Sequence, residues 1–350
     1  AAGDANALRP FLLVASFVNP HDIVLFPAWV RRGIPIKNQP ELDPPSIPAS
    51  PTDDEDLATK PAAQVAYRAA YPTGYGPAAA FARTYDKNAQ KYRDLYYRLH
   101  AEVDGPIDRV RRAVTDGGSE HAVIVRTSDH GELLGAHGGL HQKWFNLYDE
   151  ATRVPFSIAR IGTNATTGTL INNAPTSHID IVPTLLSAAG IDEAMTTNVL
   201  KESFTEVHPL PGTNLMPVVD GVEDVNPDRT VYLMTRDNML EGDSGASGVA
   251  RATGRAAKPP GLLRIRVPEH VGSNFEGLVA RVDDSINHGE GHLWKVVRTF
   301  DDPATWTNPG VRHLAASGLA GEMTRTIPLP DQWELYDLDA DPTEAINRWN

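Results

Sequence analysis

The chain has 350 residues, of which 41% are hydrophobic and 22% charged, so it is long and apolar enough to bury the cores of about two globular domains. Its formal net charge of −13 argues against a nucleic-acid-binding surface, although a local group of cations could still bind an anionic substrate. The absence of cysteine excludes disulfides, thiolate metal sites and a cysteine nucleophile within these residues, and no apolar run approaches the ~18 residues of a membrane span.

The first predicted element is a strand at Pro10–Val18, where the sequence PFLLVASFV is apolar on both faces and so predicts a central strand of a covered sheet. No basic region precedes this apolar run, so a signal peptide is not predicted. The strand leads into His21, a polar side chain at its carboxyl end. The segment Pro35–Pro61 is rich in proline and acidic residues, and it predicts an extended surface excursion that shapes a substrate entrance.

A long helix is predicted from Ala78 to Val114, because apolar residues recur there at spacings of three and four. The residues Asp104–Pro106 should kink or restart this helix, since proline lacks a backbone donor. The next element is a strand at Ala122–Thr127, rich in β-branched residues. This succession of helix and strand predicts an α/β fold.

The second half of the chain changes from α/β alternation to short strands. A strand at Val154–Ile161 and a helix from His178 to Gly190, where glycine is the favoured stop, still continue the first pattern. Beyond Pro217 the chain predicts a smaller antiparallel sheet and a last helical cap, at Thr230–Thr235, Leu262–Val267, Leu278–Asp283, Leu293–Phe300, residues 333–338 and residues 339–342. The predicted domains are residues 1–220 and 221–350, with a mobile connection at Glu241–Gly261.

The stretch from Val123 to Pro155 holds the residues with the most specific chemistry. Its strand ends in Asp129 and His130, and a carboxylate beside an imidazole at a strand end suits a divalent cation. Lys143 follows a glycine-containing loop that also holds His137, and His21 could face the same edge. A cation, a lysine and a histidine would together bind a tetrahedral oxyanion such as sulfate or phosphate and protonate the leaving oxygen. Each residue also has an ordinary alternative, as a solvated lysine or a histidine that hydrogen-bonds within its loop.

Two further motifs resemble functional sites, and both have simpler explanations. His288 and His292 in the sequence HGEGH have metal-like spacing, but the glycines oppose the helix that a zinc-protease pair requires, so a loop is predicted. Residues 164–166 (NAT) fit a glycosylation sequon, a triplet that is common by chance. Arg153 is predicted to pair with Glu150 or another acid and fix the local loop.

Four groups of motifs resemble the type I sulfatases of the alkaline-phosphatase superfamily. SDHGE, LGAHGG, QKW and LYDEATRVP, in that order and spacing, are similar to the second signature region of the family. FLLVASFVNPHD resembles the strand that carries its active-site histidine, HIDIVPTLLSAAGI its D-x-x-P-T-L-L helix, and ELYDLDADPTEAIN its carboxyl-terminal ending. The matches are collinear from Pro10 to Asn347. The resemblance implies an alkaline-phosphatase-like mixed sheet flanked by helices, with a smaller C-terminal antiparallel α+β subdomain.

The resemblance also implies a role for each candidate site residue. Asp129 matches a carboxylate ligand of the divalent cation, usually calcium in sulfatases, and His130 stands at the neighbouring ligand position. A histidine there also occurs in the phosphonate and phosphodiester hydrolases of the superfamily, where the metal is often manganese. Lys143 matches the lysine that contacts the sulfate, and His21 matches the histidine that binds a sulfate oxygen or assists the leaving group. His137 is expected to face the substrate or to support residues that do.

The chain departs from the family pattern in lacking two elements. The resemblance implies paired metal-binding aspartates on an earlier strand, and a C-x-P-S-R or S-x-P-S-R element whose Cys or Ser is oxidised to formylglycine, the hydrated nucleophile. This sequence contains neither element. We therefore expect an amino-terminally truncated fragment that supplies part of the metal site and the sulfate-binding Lys143 and His21, and that alone hydrolyses nothing.

The function implied by the resemblance is hydrolysis of a small-molecule or carbohydrate sulfate monoester. A phosphonate monoester or phosphodiester hydrolase of the same superfamily is an alternative, which rests on His130. A non-catalytic pseudoenzyme or binding module is a third reading, and the upstream gene sequence would distinguish it. The sequence does not encode the identity of the ester, the compartment or the oligomeric state.

Overall fold

A computed structural model describes residues 11–33, 44–74, 79–117, 121–162, 174–236, 271–284, 289–306, 308–311, 313–317 and 321–349. Its helices are α1 Phe26–Arg32, α2 Ala62–Gly74, α3 Ala79–Asp116, α4 Ala136–Gly139, α5 Asp149–Thr152, α6 Ile181–Ala188, α7 Glu193–Lys201 and α8 Met216–Val219. Its strands are β1 His121–Thr127, β2 Phe156–Gly162, β3 Val231–Arg236, β4 Asn274–Asp284, β5 Gly289–Phe300, β6 His313–Ser317, β7 Gly321–Arg325 and β8 Gln332–Asp337. The mixture of helices and sheets confirms the predicted α/β class.

The chain divides into two compact units that alternate along the sequence. The first unit takes the described residues within Ala1–Asn19, Glu102–Thr127 and Pro155–Val231. The second takes those within Pro20–Ala101, Ser128–Val154 and Tyr232–Asn350. The sequence-based boundary at residue 220 stays a prediction. All five candidate site residues belong to the second unit.

In the first unit, the predicted strands β1 and β2 form an antiparallel pair in which Ile124 lies opposite Ala159. Helix α6 begins after a turn at His178–Asp180, and Gly190 follows its end at a φ of +71°, the left-handed conformation expected of a glycine stop. The fully buried Asp180 organises this region, because it binds Arg229 through two 2.9 Å contacts and accepts the backbone N–H of Ser177 and of Thr213. Every lone pair of this buried carboxylate therefore has a donor.

In the second unit, four strands lie in the order β3-β4-β5-β8. The pairs β4–β5 and β5–β8 are antiparallel, with Val296 between Leu278 and Leu335. The predicted antiparallel sheet is thus confirmed. Of the segments predicted to belong to it, Leu262–Val267 lies outside the described residues, as does the connection at Glu241–Gly261.

The core of the second unit is rich in aromatic side chains. Phe26 meets Tyr92 edge-on with ring centroids 5.1 Å apart, and Tyr92 meets Tyr85 edge-on at 5.2 Å. All three are at most 3% exposed. Edge-to-face aromatic pairs of this kind add about 0.5–1.5 kcal/mol to the free energy of burial. This core supports the loops that follow β1.

Helix α3 has the predicted extent, but its irregular residue is not where the sequence predicted it. Pro106 lies inside the helix without a break, whereas Asn88 has non-helical angles of φ −131° and ψ 23°. The side chain of Asn88 donates to the carbonyl of Thr84 at 2.8 Å, the acceptor that its own backbone N–H would use in a regular helix. The prediction of a kink at Asp104–Pro106 is therefore wrong. The irregularity lies at Asn88 instead, because its side chain competes with its own backbone N–H for the carbonyl of Thr84.

The strand predicted at Pro10–Val18 is also wrong for the part that the structure describes. Residues 11–18 have no strand assignment, and Phe11, Leu12, Leu13 and Val14 are between 68% and 87% exposed. A strand that is apolar on both faces needs neighbours on both faces, and the described residues supply none there.

Three smaller predictions are corrected. Residues 44–61 of the segment Pro35–Pro61 are partly packed, since Thr52, Leu57 and Lys60 are at most 5% exposed. His292 lies on β5, in a strand and not in a loop, and its Nδ1 atom is 2.8 Å from the carboxylate of Asp337. Residues 339–342 form turns instead of capping a terminal helix.

Within the described part of the chain, no helix combines the length and the hydropathy needed to cross a membrane.

Candidate active site

The chain that follows β1 is fixed to helix α5 through Gly131. The backbone N–H of Gly131 donates to the carbonyl of Ala151 at 2.9 Å. A Cβ atom at this position would lie 2.0 Å from the carbonyl oxygen of Glu150, a distance that only glycine avoids. The backbone next to Asp129 and His130 is therefore held at a defined distance from α5.

Those two residues, Asp129 and His130, present their side chains to each other. Nε2 of His130 lies 3.5 Å from Oδ2 of Asp129, and the Asp129 side chain is 85% exposed. Nδ1 of His130 is 2.8 Å from the carbonyl oxygen of Gly131, so Nδ1 carries the proton in the neutral ring and Nε2 keeps a free lone pair. The hydroxyl of Ser128 donates to the His130 carbonyl at 2.8 Å.

This pair fits two adjacent ligands of one divalent cation. Metal–ligand distances of about 2.0–2.6 Å place neighbouring donor atoms roughly 3–3.5 Å apart. A hydrogen bond from Nδ1 to a carbonyl is the usual way in which a protein turns Nε2 toward a metal. Two donors do not complete a coordination sphere, and among the described residues no group of three or more His, Cys, Asp or Glu is placed to hold a metal ion.

Lys143 belongs to the same electrostatic environment as Asp129. Burial lowers the pKa of the Lys143 amine, while the nearby carboxylates of Glu132 and Asp129 oppose that effect without cancelling it. Burial in turn would raise the pKa of Asp129, but the charge that His130 carries when it is protonated, two backbone N–H groups and Lys143 together lower it. Asp129 thus lies beside His130 and within the electrostatic influence of Lys143.

Glu132 supports the loop between His130 and Lys143, and the sequence reasoning did not single it out. Its Oε1 atom accepts hydrogen bonds from the backbone N–H of Gln142 at 2.6 Å, the backbone N–H of Leu134 at 3.3 Å and the hydroxyl of Tyr92 at 3.1 Å. Burial raises the pKa of this carboxyl, although the three donors act in the opposite direction. Its presence in SDHGE was a signal, but only the structure shows that it closes the loop.

The loop that Glu132 closes is strained. Five non-glycine residues have positive φ among the described residues, and three of them, Leu134, His137 and Gln142, lie in this loop at φ between +51° and +66°. A fourth, Phe145, follows three residues after the loop at φ +62°. Each such conformation costs on the order of 1–3 kcal/mol and persists only where the surrounding structure imposes it. Concentrated backbone strain is typical of functional sites.

His137 lies inside the protein and does not face a substrate. Its side chain is fully buried, with Nδ1 2.9 Å from Glu55 and Nε2 3.2 Å from Glu150. Its ring stacks on Tyr148 with centroids 3.6 Å apart. Both nitrogens are thus used by carboxylates, and the predicted contact with substrate stays a prediction that this geometry does not favour. A role in supporting Asp129 and His130 fits His137 better. Its partner Glu150 is also the residue whose carbonyl closely approaches Gly131, next to those two residues.

The C-terminal sheet contacts the later part of the stretch Val123–Pro155 through Lys295. Lys295 on β5 is fully buried, and its ammonium group donates to the carbonyl of Leu147 at 3.0 Å and pairs with Asp149 and with Glu344, the latter at 2.9 Å. Burial raises the pKa of Glu344 to about 7 against the opposing charge of Lys295. This contact between distant parts of the sequence was not predictable from either part alone.

His21 and Arg153 complete the set of predicted residues. His21 opens the turn His21–Leu25 before α1, and its side chain is exposed while Ile23 of the same turn is buried in the core. None of the contacts found among the described residues joins His21 to Asp129, His130 or Lys143. Arg153 pairs with an acid as predicted, but the partner is Asp149 at 3.6 Å and not Glu150.

The comparison with protein families matches this region. The sulfatase family model covers residues 3–191, which is more than half of the chain. An uncharacterised sulfatase of Escherichia coli (strain K12) is 30% identical over 190 residues, 54% of this chain and 33% of its own length. A choline-sulfatase of Rhizobium meliloti (strain 1021) is 30% identical over 229 residues, 64% of this chain and 38% of its own length. The chain therefore spans little more than a third of these relatives.

Solved structures agree on the fold. A putative sulfatase of Bacteroides thetaiotaomicron superposes with a TM-score of 0.54 at 17% identity, over 94% of this chain and 52% of its own. A 2-O GAG sulfatase superposes with a TM-score of 0.53, also at 17% identity, over 95% of this chain and 53% of its own. These similarities confirm the alkaline-phosphatase-like architecture that the motifs predicted.

Proposed function

This chain belongs to the sulfatase family, and we propose that it supplies the cation- and sulfate-binding part of a sulfuric ester hydrolase. The observation that carries the proposal is the 3.5 Å approach of Nε2 of His130 to the carboxylate of Asp129, together with the charge of Lys143, which acts on the same carboxylate. A carboxylate, an imidazole with a free Nε2 and an ammonium group together suit a cation and a tetrahedral anion better than any purely structural role.

The residues that would hold the cation are Asp129 and His130, with further ligands beyond this pair. The pKa of Asp129 is lowered from its ordinary value, which favours the anionic form that a cation ligand requires. When bound, a divalent cation supplies positive charge next to the ester oxygens. Calcium is the first candidate by resemblance. Manganese is the second, also by resemblance, because it is often the metal of the phosphonate and phosphodiester hydrolases that have a histidine at the position of His130.

Lys143 would bind the sulfate itself. Its ammonium group can donate to the equatorial oxygens, and its positive charge counters the negative charge that develops on them as the ester breaks. Partial burial strengthens that interaction, since the local dielectric constant is lower than that of water. His21, which is exposed, would bind a sulfate oxygen or donate a proton to the leaving oxygen, in line with its place in the motif.

The nucleophile of the reaction would come from a formylglycine element that these 350 residues do not contain. The proposal is therefore one of binding for this chain and of catalysis for a protein that combines it with such an element. The substrate class is a sulfate monoester of a small molecule or a carbohydrate.

Binding measurements on the purified chain test this proposal directly. Isothermal titration with calcium chloride, manganese chloride and then sodium sulfate should show cation binding that Asp129→Asn removes and sulfate binding that Lys143→Ala removes. Lys201→Ala, at an exposed lysine on α7, is the matched control and should leave both unchanged. Sulfate binding that survives Lys143→Ala would contradict the proposal, as would repeated turnover of 4-nitrophenyl sulfate by the 350 residues alone.

A phosphonate monoester or phosphodiester hydrolase is the second candidate, and the free Nε2 of His130 favours it. The two readings differ in the anion that the site prefers. Phenyl sulfate should bind more tightly than phenylphosphonate if the chain comes from a sulfatase. The reverse order, abolished by His130→Asn, would favour the second candidate.

A further inference from the structure

The second unit contains a cleft that none of the roles assigned above uses. Its volume is about 160 Å³. Helix α3 contributes Tyr85, Ala89 and Tyr92 to its lining, and the loop before Lys143 contributes Leu134 and His141. A cavity of about 150 Å³ accommodates one benzene ring, so this cleft has room for a single six-membered ring.

The interior of the cleft is aromatic and rigid. Tyr85 stacks on His141 with centroids 4.3 Å apart, and Tyr92 meets the same imidazole edge-on at 5.1 Å. Phe26 packs behind Tyr92 at 5.1 Å, which keeps that ring in place. Flat ring faces and edges of this kind pack well against the C–H groups of a ring-shaped ligand.

The lining of the cleft also includes one acid, one base and one hydroxyl, from Asp53, Arg93 and Ser50, and Asp53 is exposed to solvent. The guanidinium of Arg93 is held by Ile47, whose carbonyl accepts from Nε at 3.0 Å, and by Gln90, whose side chain accepts from Nη2 at 2.8 Å. Among the described residues, neither Nη1 of Arg93 nor the carboxylate of Asp53 has a hydrogen-bond partner. Arg93 thus supplies a hydrogen-bond donor held in position, and Asp53 supplies an acceptor exposed to solvent, next to the aromatic side chains of the cleft.

This combination excludes two simple kinds of ligand. An apolar ring that covers the partly buried guanidinium of Arg93 would leave its Nη1 donor without a partner, which costs free energy. An anion would meet the carboxylate of Asp53 in the same cleft, so the single guanidinium could not bind it strongly. A neutral ring with hydroxyl groups satisfies both side chains, because each hydroxyl donates and accepts.

The side chain of Glu132 connects the cleft to Lys143, the residue proposed to bind the sulfate. The hydroxyl of Tyr92 donates to Glu132 at 3.1 Å, and the charge of Glu132 acts on Lys143. Two glycines, Gly135 and Gly139, line the cleft on the loop that runs to Lys143, and a Cβ at Gly139 would meet nothing within 4 Å. Open space on that side leaves room for a ligand larger than the sulfate group.

We propose that this cleft binds a neutral, hydroxylated six-membered ring, which is the organic part of the sulfate ester. The second half of this statement rests on the function proposed above, whereas the first half rests on the cleft alone. Tyr85, Ala89, Arg93 and Asp53 are then the residues that select the alcohol, and Lys143 is the residue that binds the sulfate.

The test fills the cleft without altering the proposed sulfate site. Ala89→Leu adds a side chain to the α3 wall and keeps a strong helix former there. Ala69→Leu, on an exposed position of α2, is the matched control for the added side chain. Asp53→Asn, in an exposed turn, removes one charge from the cleft and should not affect folding. The probes are D-glucose, D-galactose, D-xylose and cyclohexanol, titrated into the purified chain and followed by ligand-observed NMR.

At least one of the three sugars should bind with a millimolar dissociation constant, and cyclohexanol should bind more weakly. Ala89→Leu should weaken sugar binding by about tenfold or more and Asp53→Asn by about fivefold, while Ala69→Leu leaves it unchanged. The inference is overturned if no sugar binds up to about 50 mM, if binding survives Ala89→Leu, or if cyclohexanol binds more tightly than the sugars.

Sodium sulfate titrated into the same variants separates this inference from the function on which it rests. Sulfate binding should depend on Lys143 and not on Ala89. Sugar binding that Ala89→Leu abolishes, in a chain that binds no sulfate, would support the ring site and contradict the proposed function. Sulfate binding without any sugar binding would support the proposed function and overturn the ring site.

Discussion

The carboxylate of Glu132 accepts the backbone N–H of Gln142 at 2.6 Å, and this contact closes the ten-residue loop that leads to Lys143. The loop contains three residues with strained positive φ, Leu134, His137 and Gln142, so it needs such contacts to keep its shape. Substitutions of Glu132 can therefore separate the stability of this loop from the binding of ligands at Asp129 and Lys143.

Glu132→Ala should destabilise the protein by about 2–4 kcal/mol, because two backbone N–H groups and the Tyr92 hydroxyl lose a buried acceptor. Urea unfolding followed by fluorescence measures this loss. Glu132→Gln keeps one oxygen acceptor and should cost less than half as much. Equal losses for the two variants would mean that the charge of Glu132, and not its hydrogen bonds, stabilises the loop.

His137 should make the stability of the protein depend on pH. Burial alone would lower the pKa of its imidazole, but hydrogen bonds and charge from Glu150 and Glu55 raise it above its ordinary value. A raised pKa in the folded state stabilises the protein fully below the unfolded pKa of about 6.5, and the effect is lost as pH rises through the folded value. The free energy of unfolding lost in His137→Gln should therefore be larger at pH 6 than at pH 9, by on the order of 1 kcal/mol.

The matched control for His137 is His208, which pairs with Glu206 at 2.9 Å but has a side chain that is 76% exposed. His208→Gln should change the free energy of unfolding by less than about 0.5 kcal/mol at either pH. If both variants show the same pH dependence, the buried carboxylate pair is not its source.

Lys143 should make sulfate binding sensitive to alkaline pH. Its pKa is lowered by burial, so the ammonium group loses its proton at a lower pH than an ordinary lysine, whose pKa is about 10.4. Sulfate affinity measured by titration calorimetry should fall between pH 7 and pH 10. Lys143→Arg should remove this fall, because a guanidinium stays protonated throughout. A flat profile for the unmodified chain would show that Lys143 does not supply the charge.

Lys295 should be the most sensitive single position in the C-terminal sheet. Lys295→Met leaves Glu344 and Asp149 near each other without their shared cation and should destabilise the protein by about 3–5 kcal/mol. The double variant Lys295→Met/Glu344→Gln removes one of the two charges and should recover part of the loss. Thermal unfolding of the single and double variants provides the measurement, and no recovery in the double variant would contradict the charge explanation.

Gly131→Ala should disturb the cation-binding residues through the backbone. The new Cβ would lie 2.0 Å from the Glu150 carbonyl, so α5 or the chain at Asp129 must move. We expect a loss of about 2–4 kcal/mol of stability together with weaker calcium binding. Gly105→Ala is the control within helix α3, where the nearest atom lies at 3.9 Å, and it should stabilise the protein by about 0.5–1 kcal/mol. Unchanged calcium binding in Gly131→Ala would argue against Asp129 as a ligand.

The sequence by itself determined most of the local elements and predicted which residues form the candidate site. Periodicity placed the long helix within a few residues of Ala79–Asp116, and alternation placed β4, β5 and β8. The order of SDHGE, LGAHGG and QKW identified Asp129, His130 and Lys143, since these side chains lie within fifteen residues of one another and their spacing is a local property. Local patterns depend on backbone preferences and on the period of apolar residues, and both can be read from the chain alone.

Only the tertiary structure decided which of these residues are partners. Burial of His137 between Glu55 and Glu150, the clamp of Lys295 on Asp149, and the contact of Glu132 with Tyr92 all join residues between 13 and 146 positions apart. The exposed run at residues 11–18 shows that burial, too, cannot be predicted from the sequence alone. An apolar sequence does not say whether a neighbouring segment is present to cover it. Hydrogen bonds and burial depend on distances between segments, and those distances exist only once the chain has folded.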